Sequence, residues 1–365
     1  MRYVDEFRDP ARAQALLQRI RDTARRPVQL MEFCGTHTHA MFRHGIRQLL
    51  PPSITMLSGP GCPVCVTSAA DLDRAIALAS LPGVTLATFG DMLRVPGSRG
   101  SLQTARAAGA DVRVIYSSLD AIDIARREPE RTVVLLGVGF ETTAPTTAAA
   151  LLQAEQEGLE NLRLFCLHKL TPPAMAAILR SGEVALDGIL APGHVSAIIG
   201  SSAWEFVARD FHLPCTVAGF EPLDILQGIA DLVEQCEAGI SEVHNAYGRG
   251  VRAAGNPAAR ALLAEVFEVS PAEWRGLGSV PASGLALRGR FRRFDARPLI
   301  DEHRPAWSEA REPAGCRCGE VLRGVLEPAR CPLYGRACTP ERPVGPCMVS
   351  SEGSCAAHYR YGGTR

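Results

Sequence analysis

The 365-residue chain carries no net charge, because 39 basic residues balance 39 acidic ones. A chain without a global field of either sign does not attract nucleic acid or anionic lipid as a whole. It also lacks any run of about 18 apolar residues that would span a bilayer. The opening stretch MRYVDEFRDPARAQALL has no apolar core of the kind a signal peptide needs, so a cytoplasmic protein is expected. No GxxxxGK phosphate loop occurs, and no Rossmann glycine fingerprint follows the first apolar run, which sets nucleotide chemistry aside. What is present is a globular balance of 46% hydrophobic and 21% charged residues, at a length that fits two or three domains.

Cysteine is the residue the chain does not lack. There are twelve, and a reducing cytosol directs clustered cysteines to metal binding or redox work before structural disulfides. Six lie between Cys316 and Cys355, and Cys34, Cys62 and Cys65 lie in two short motifs. Cys166, Cys215 and Cys236 stand singly in apolar or helical surroundings and read as plain core residues.

From about residue 26 to 235, apolar runs alternate with helix-like stretches. The strand candidates are Val28–Phe33, Ile54–Leu57, Val84–Phe89, Val112–Tyr116, Thr132–Val138, Leu162–Leu167, Gly188–Leu190 and Thr216–Ala218. Helices are expected over Ala69–Leu81, Gln103–Ala108, Leu119–Arg127, Thr146–Glu157 and Ala174–Arg180. Such alternation predicts parallel sheets with right-handed crossovers. The polar stretch Arg126–Arg131 falls midway, so the expected fold is two similar parallel-sheet α/β lobes, 1–129 and 130–238. A third part, 239–365, is expected to be helical through Glu242–Phe267 and then loop-rich and cysteine-dense. Nothing in that tail shows apolar periodicity, so a bound group must organise it.

The tail cysteines are Cys316, Cys318, Cys331, Cys338, Cys347 and Cys355. Zinc sites draw on tight knuckles, whereas only Cys316 and Cys318 are close here. Iron–sulfur clusters accept wider spacings, and a four-cysteine cluster leaves two thiols over as a redox pair. Near the N-terminus, Cys34 ends a strand and opens Cys34-Gly35-Thr36-His37-Thr38-His39, at the strand end where α/β sheets gather ligands. A helix starting there lowers the thiol's pKa through its dipole, and thiolate beside imidazole suits a soft metal. The segment Gly59-Pro60-Gly61-Cys62-Pro63-Val64-Cys65 repeats the design, and its CxxC fits either a thiol–disulfide couple or two metal ligands. Glu141 and His194 follow later strands and are candidate proton handlers, or ordinary capping and surface residues. Gly139-Phe140-Glu141 and Gly219-Phe220-Glu221 echo one another.

The combination of CGTHTH (34–39), GPGCPVC (59–65), GFETTAP (139–145), PGHVS (192–196), GFEPLD (219–224) and GPCMVSSEGSC (345–355) closely resembles the HypD family of nickel–iron hydrogenase maturation proteins, almost end to end. The resemblance implies two α/β domains and a third holding a 4Fe–4S cluster on Cys316, Cys331, Cys338 and Cys355. These meet the family spacing C-x14-C-x6-C-x16-C. It implies that Cys318 and Cys347 form a thiol couple passing electrons towards Cys62 and Cys65. It further implies one additional iron ion, held at Cys34 with Cys62 and Cys65 in the same cleft, while two cyanides and a carbon monoxide are added. His37 and Glu141 fall in the matching motifs and are candidate catalytic residues. The implied partners are a small HypC-like protein and a HypE-like cyanide donor, with HypF upstream. Ser68 departs from the proline expected there, which loosens a turn without removing a ligand. A stand-alone cluster-dependent disulfide reductase and a zinc-stabilised binding module are the alternatives.

Overall fold

A computed structural model describes residues 5–302 and 310–362. Nine strands form its parallel sheets: β1 (Val28–Glu32), β2 (Ile54–Ser58), β3 (Val84–Phe89), β4 (Asp111–Ile115), β5 (Thr132–Gly137), β6 (Leu162–Cys166), β7 (Gly188–Pro192), β8 (Cys215–Ala218) and β9 (Val243–Asn245). A hairpin follows, β10 (Phe267–Trp274) and β11 (Gly278–Leu287). Most of β1, β3, β5 and β7 is buried, as expected where helices cover both faces of a sheet. Among the described residues, no helix is long and apolar enough to cross a membrane.

The two parallel sheets do not follow the chain in halves. One has the order β2-β1-β7-β8-β9 and the other β4-β3-β5-β6. Strands β3 and β5 pair directly, Leu86 opposite Val134, across the 129/130 boundary that the sequence suggested. The four-stranded sheet, 84–166, is thus enclosed between the two segments that build the five-stranded one. Arg126–Arg131 is correspondingly a crossover turn rather than a link between lobes. It ends the helix Ser118–Arg127, and Arg113 and Arg131 bind Asp111 and Glu128 across the turn. Its charges serve ion pairs at a sheet edge, which composition alone does not distinguish from a linker.

Further differences lie after residue 240. The stretch expected to be helical through Glu242–Phe267 begins as strand β9, which completes the five-stranded sheet, and turns helical only at Pro257–Val266. Asn256 caps that helix, its side chain accepting from the Ala259 N–H at 3.1 Å. Ser68 likewise caps Ala69–Ala79 by accepting from the Asp71 N–H. The departure at Ser68 therefore gives the turn a hydrogen bond that proline cannot supply. The cysteine-rich tail contains four short helices, of which Ser354–Tyr361 returns to pack on Gly35–Arg43.

Candidate functional site

The chain leaves β1 for β2 on one side and returns with β7 on the other, so the topological switch point lies between β1 and β7. In open α/β sheets, ligands bind beyond the strand carboxyl ends at such a point. Cys34 follows β1 and His194 follows β7, and the Cys34 Sγ lies 3.7 Å from His194 Nδ1. The CxxC loop after β2 is pressed against them. Gly35 donates its N–H to Gly61 O at 2.9 Å, and a Cβ on Gly61 would come within 2.4 Å of Cys34 Cα. Only glycine lets these two loops meet.

His37, in the helix Gly35–Arg43, reaches Gly219 O through Nε2 at 2.9 Å. A carbonyl can only accept, so Nε2 carries the proton and Nδ1 keeps its lone pair, buried and without a partner. Phe220, after β8, lies between the imidazoles, 4.8 Å from His37 and 5.1 Å from His194 by ring centroids. Burial pushes both histidines down to about 4, so each is a neutral imidazole at pH 7, able to accept a proton or coordinate a metal. Beneath them Glu32 is fully buried and accepts from the Cys34 N–H at 2.9 Å and from the Thr38 hydroxyl. Burial raises Glu32 to about 7 against its hydrogen bonds.

The Cys34 thiol is not the acidified group expected from its place at a helix start. Burial pushes it well above the ordinary thiol range, and the nearby Glu352 carboxylate adds to the rise. A helix terminus contributes roughly 0.3–1 kcal/mol, less than one pKa step of about 1.36 kcal/mol, so desolvation wins. A cation bound at the sulfur is what would offset it.

Cys62 and Cys65 form a disulfide with a Cα–Cα separation of 5.2 Å, both sulfurs buried. The short helix Pro63–Val66 packs on Pro346–Val349, and Cys65 Sγ faces Pro346 O at 4.0 Å. The tail thus reaches the first site at two points, since Glu352 also accepts from the Thr36 hydroxyl at 2.9 Å. All six tail cysteines line one small cavity of about 10 Å³ with Leu333, Tyr334, Gly345 and Met348. Cys318 and Cys347 have their sulfurs 2.7 Å apart, and Cys338 Sγ accepts the Val344 N–H at 3.3 Å. A Cβ on Gly345 would stand 2.6 Å from Cys316 Sγ. Six thiols, a backbone donor to sulfur and a glycine wall are a donor set that fits an iron–sulfur cluster. Among the described residues, no three His, Cys, Asp or Glu side chains close on one point as they would around a single metal ion.

Glu141 is placed elsewhere, beyond β5. Its carboxylate accepts from the Thr171 N–H at 2.7 Å and from the Thr171 hydroxyl, at the start of the helix Thr171–Ser181. It borders an apolar cavity of about 810 Å³ lined by Leu170, Pro173, Ala264 and Phe267. The structure gives it no contact with Cys34, and its geometry is that of a buried cap rather than a proton handler. Cys166 and Cys215 are buried on β6 and β8, and Cys236 donates its thiol to Asp187 O. Sequence reasoning missed Glu32, Phe220 and Glu352. A carboxylate ending the buried strand VQLME was the available signal for the first.

The family model HypD, described as the hydrogenase formation hypA family, matches residues 11–362. Among similar proteins, the hydrogenase maturation factor HypD of Rhizobium leguminosarum bv. viciae is 49% identical over 99% of this chain and 96% of its own length. Its namesake from Escherichia coli K12 is 47% identical, covering 99% and 98%. That from Azotobacter vinelandii is 50% identical, covering 100% and 98%. The chain belongs to the HypD family.

Proposed function

We propose that this member of the HypD family is a hydrogenase maturation factor that holds one iron ion at Cys34 while cyanide and carbon monoxide ligands are added. One observation carries the reading: a buried thiol at the sheet's switch point faces a neutral imidazole and touches the CxxC disulfide loop, which is itself seated beside a six-cysteine cavity. Iron is the cargo. Cys34 ligates it as thiolate, its proton displaced to solvent as the metal binds, and His194 stands beside the sulfur as a neutral imidazole. His37 keeps Phe220 and the Gly219 carbonyl fixed beside that sulfur, and Glu32 holds the Cys34 backbone. Burial keeps bulk water from the site, which suits ligands that need a soft, low-valent metal.

Cys316, Cys331, Cys338 and Cys355 are the residues that would hold a 4Fe–4S cluster, which supplies single electrons when bound. Opening the Cys62–Cys65 bond consumes two electrons and two protons and leaves two thiols. Cys318 and Cys347 lie in the same cavity, and Cys347 neighbours Pro346, the residue that meets Cys65. The partners in this reading are a small HypC-like protein contributing a second iron ligand, and a HypE-like cyanide donor fed by a HypF-like protein. A free-standing disulfide reductase is less well supported, because it gives Cys34 and the imidazoles beside it no task. The test is infrared spectroscopy of the chain co-purified with its small partner. Cyanide and carbon monoxide bands are expected, and Cys34→Ala should abolish them while leaving cluster absorbance intact. Bands that survive in that variant would show that the iron sits elsewhere.

A further inference from the structure

The tip of the β10–β11 hairpin is wedged between the CxxC helix and the cysteine cavity, and it carries a cation that nothing above employs. Arg275 donates its backbone N–H to Val66 O at 2.8 Å and its Nε–H to Thr67 O at 3.0 Å, gripping the end of the CxxC helix. The next residue, Gly276, has a φ of +83°, and a Cβ there would come within 2.7 Å of Gly319 Cα. Its carbonyl accepts from Arg323 Nη1 at 2.7 Å. The turn therefore sits directly on Cys318–Leu322, with the Cys62–Cys65 disulfide loop on one side and the cavity on the other.

The Arg275 side chain is 1% exposed. Its Nη1 binds the carboxylate of Glu312, which is half-exposed, and its Nη2 has no hydrogen-bond partner. A buried donor left unsatisfied is costly, so a folded chain that retains one needs a compensating interaction. Burial disfavours the guanidinium charge; besides the ion pair with Glu312, negative charge at Cys318, Cys347 and Cys316 favours it. All three line the cavity. Arginine suits the place because its charge persists under burial, where a lysine readily loses its proton.

We propose that Arg275 is the fixed counter-charge of the six-cysteine cavity, a positioning residue that eases the addition of an electron there. The inference rests on the reading that this cavity holds an iron–sulfur cluster. Local charge and hydrogen bonds to sulfur are what set a cluster's reduction potential. A buried positive charge stabilises the more negative, reduced state, and the Glu312 carboxylate partly cancels it.

The experiment is a potentiometric titration of the anaerobically purified full chain, followed by cluster absorbance and electron paramagnetic resonance. Wild type is compared with Arg275→Gln and Glu312→Gln. Arg275→Gln should shift the midpoint to more negative potential. Glu312→Gln, which frees the cation of its partner, should shift it the other way. A residue that only packs the hairpin tip would not produce shifts of opposite sign. Unmoved midpoints, or two shifts in one direction, overturn the proposal while leaving the cluster reading standing. If Arg275→Gln fails to fold, Glu312→Gln decides alone: a positive shift supports the proposal and any other result overturns it. Wild-type protein without iron or acid-labile sulfide overturns both.

Discussion

The same tripeptide closes a strand in each parallel sheet, and the two copies have different fates. Gly139-Phe140-Glu141 follows β5, and Gly219-Phe220-Glu221 follows β8. Phe140 is buried and stacks on Trp274, with ring centroids 5.9 Å apart and planes 17° from parallel. Phe220 stands half-buried between His37 and His194. Glu141 is sealed against Thr171, and burial raises it to about 7. Glu221 reaches the surface and pairs with Arg8, which holds it below the ordinary carboxylate range. What differs is what crosses the strand end. In the four-stranded sheet a hairpin and a helix start cover it, and the tripeptide becomes scaffold. In the five-stranded sheet two neutral imidazoles and a thiol converge on it, and the tripeptide becomes a wall of the site.

The largest expected effect separates the two phenylalanines. Phe140→Ala removes a buried aromatic and should cost about 3–5 kcal/mol of stability. Phe220→Ala should cost clearly less yet weaken iron retention at Cys34, because it frees both histidines. Denaturant unfolding alongside iron analysis of the partner complex measures both; equal stability losses with equal iron content would erase the distinction. The second effect is on pH dependence. Glu141 has its folded pKa raised from 4.5 to about 7, so the folded state keeps a proton that the unfolded chain has released. Stability therefore falls as pH rises from about 4.5 to about 7 and is level above that. The span amounts to on the order of 3 kcal/mol for a fully buried group. Glu141→Gln should flatten that part of the profile, leaving the similar slope due to Glu32. An unchanged difference in unfolding free energy between pH 5 and pH 8 would contradict the assignment.

The strands were legible because buried parallel strands read as unbroken apolar runs. Val84–Phe89 forms over the very residues expected, and most other boundaries shift by one or two. Pairing was not legible. Whether β5 joins β3 or opens a new sheet depends on contacts between residues 48 apart in sequence, such as Leu86 and Val134, which no local pattern encodes. Strand β9 is three residues long in polar sequence, and Pro271, Pro281 and a bulge interrupt the alternation of the hairpin. For the site, Cys34, Cys62, Cys65 and His194 could be found because strand-end turns with Gly and Pro announce themselves. Glu32 offered only a carboxylate at the end of a buried strand, and Arg275 offered nothing. Arg275 meets its partner, Glu312, from a distant part of the chain, which local composition does not show.

A third change probes the loops that only the five-stranded sheet brings together. Gly61→Ala places a methyl group 2.4 Å from Cys34 Cα and its backbone nitrogen. Neither backbone can yield freely, so overpacking should cost about 1–3 kcal/mol and part the CxxC loop from Cys34. Iron bound with the small partner should fall severalfold while the cluster absorbance is retained. Full iron occupancy in this variant would mean that the two loops act independently.

The smallest effect is expected at the second glutamate. Arg8 and Glu221 are 45% and 26% exposed in their side chains, and such a solvent-screened pair contributes little, less still in salt. Glu221→Gln should therefore leave neutral-pH stability almost untouched. The sign of its pH dependence is opposite to that of Glu141. A carboxylate depressed in the folded state contributes stability above its ordinary pKa and loses it as pH falls through the folded value. Unfolding curves of Glu221→Gln should thus differ from wild type by less near pH 3 than at pH 7, with the residual difference shrinking in added salt. A loss at neutral pH as large as that of Phe140→Ala would place Glu221 in the scaffold beside Glu141. The two copies of the tripeptide would then share one role, and position on the sheet would no longer explain their chemistry.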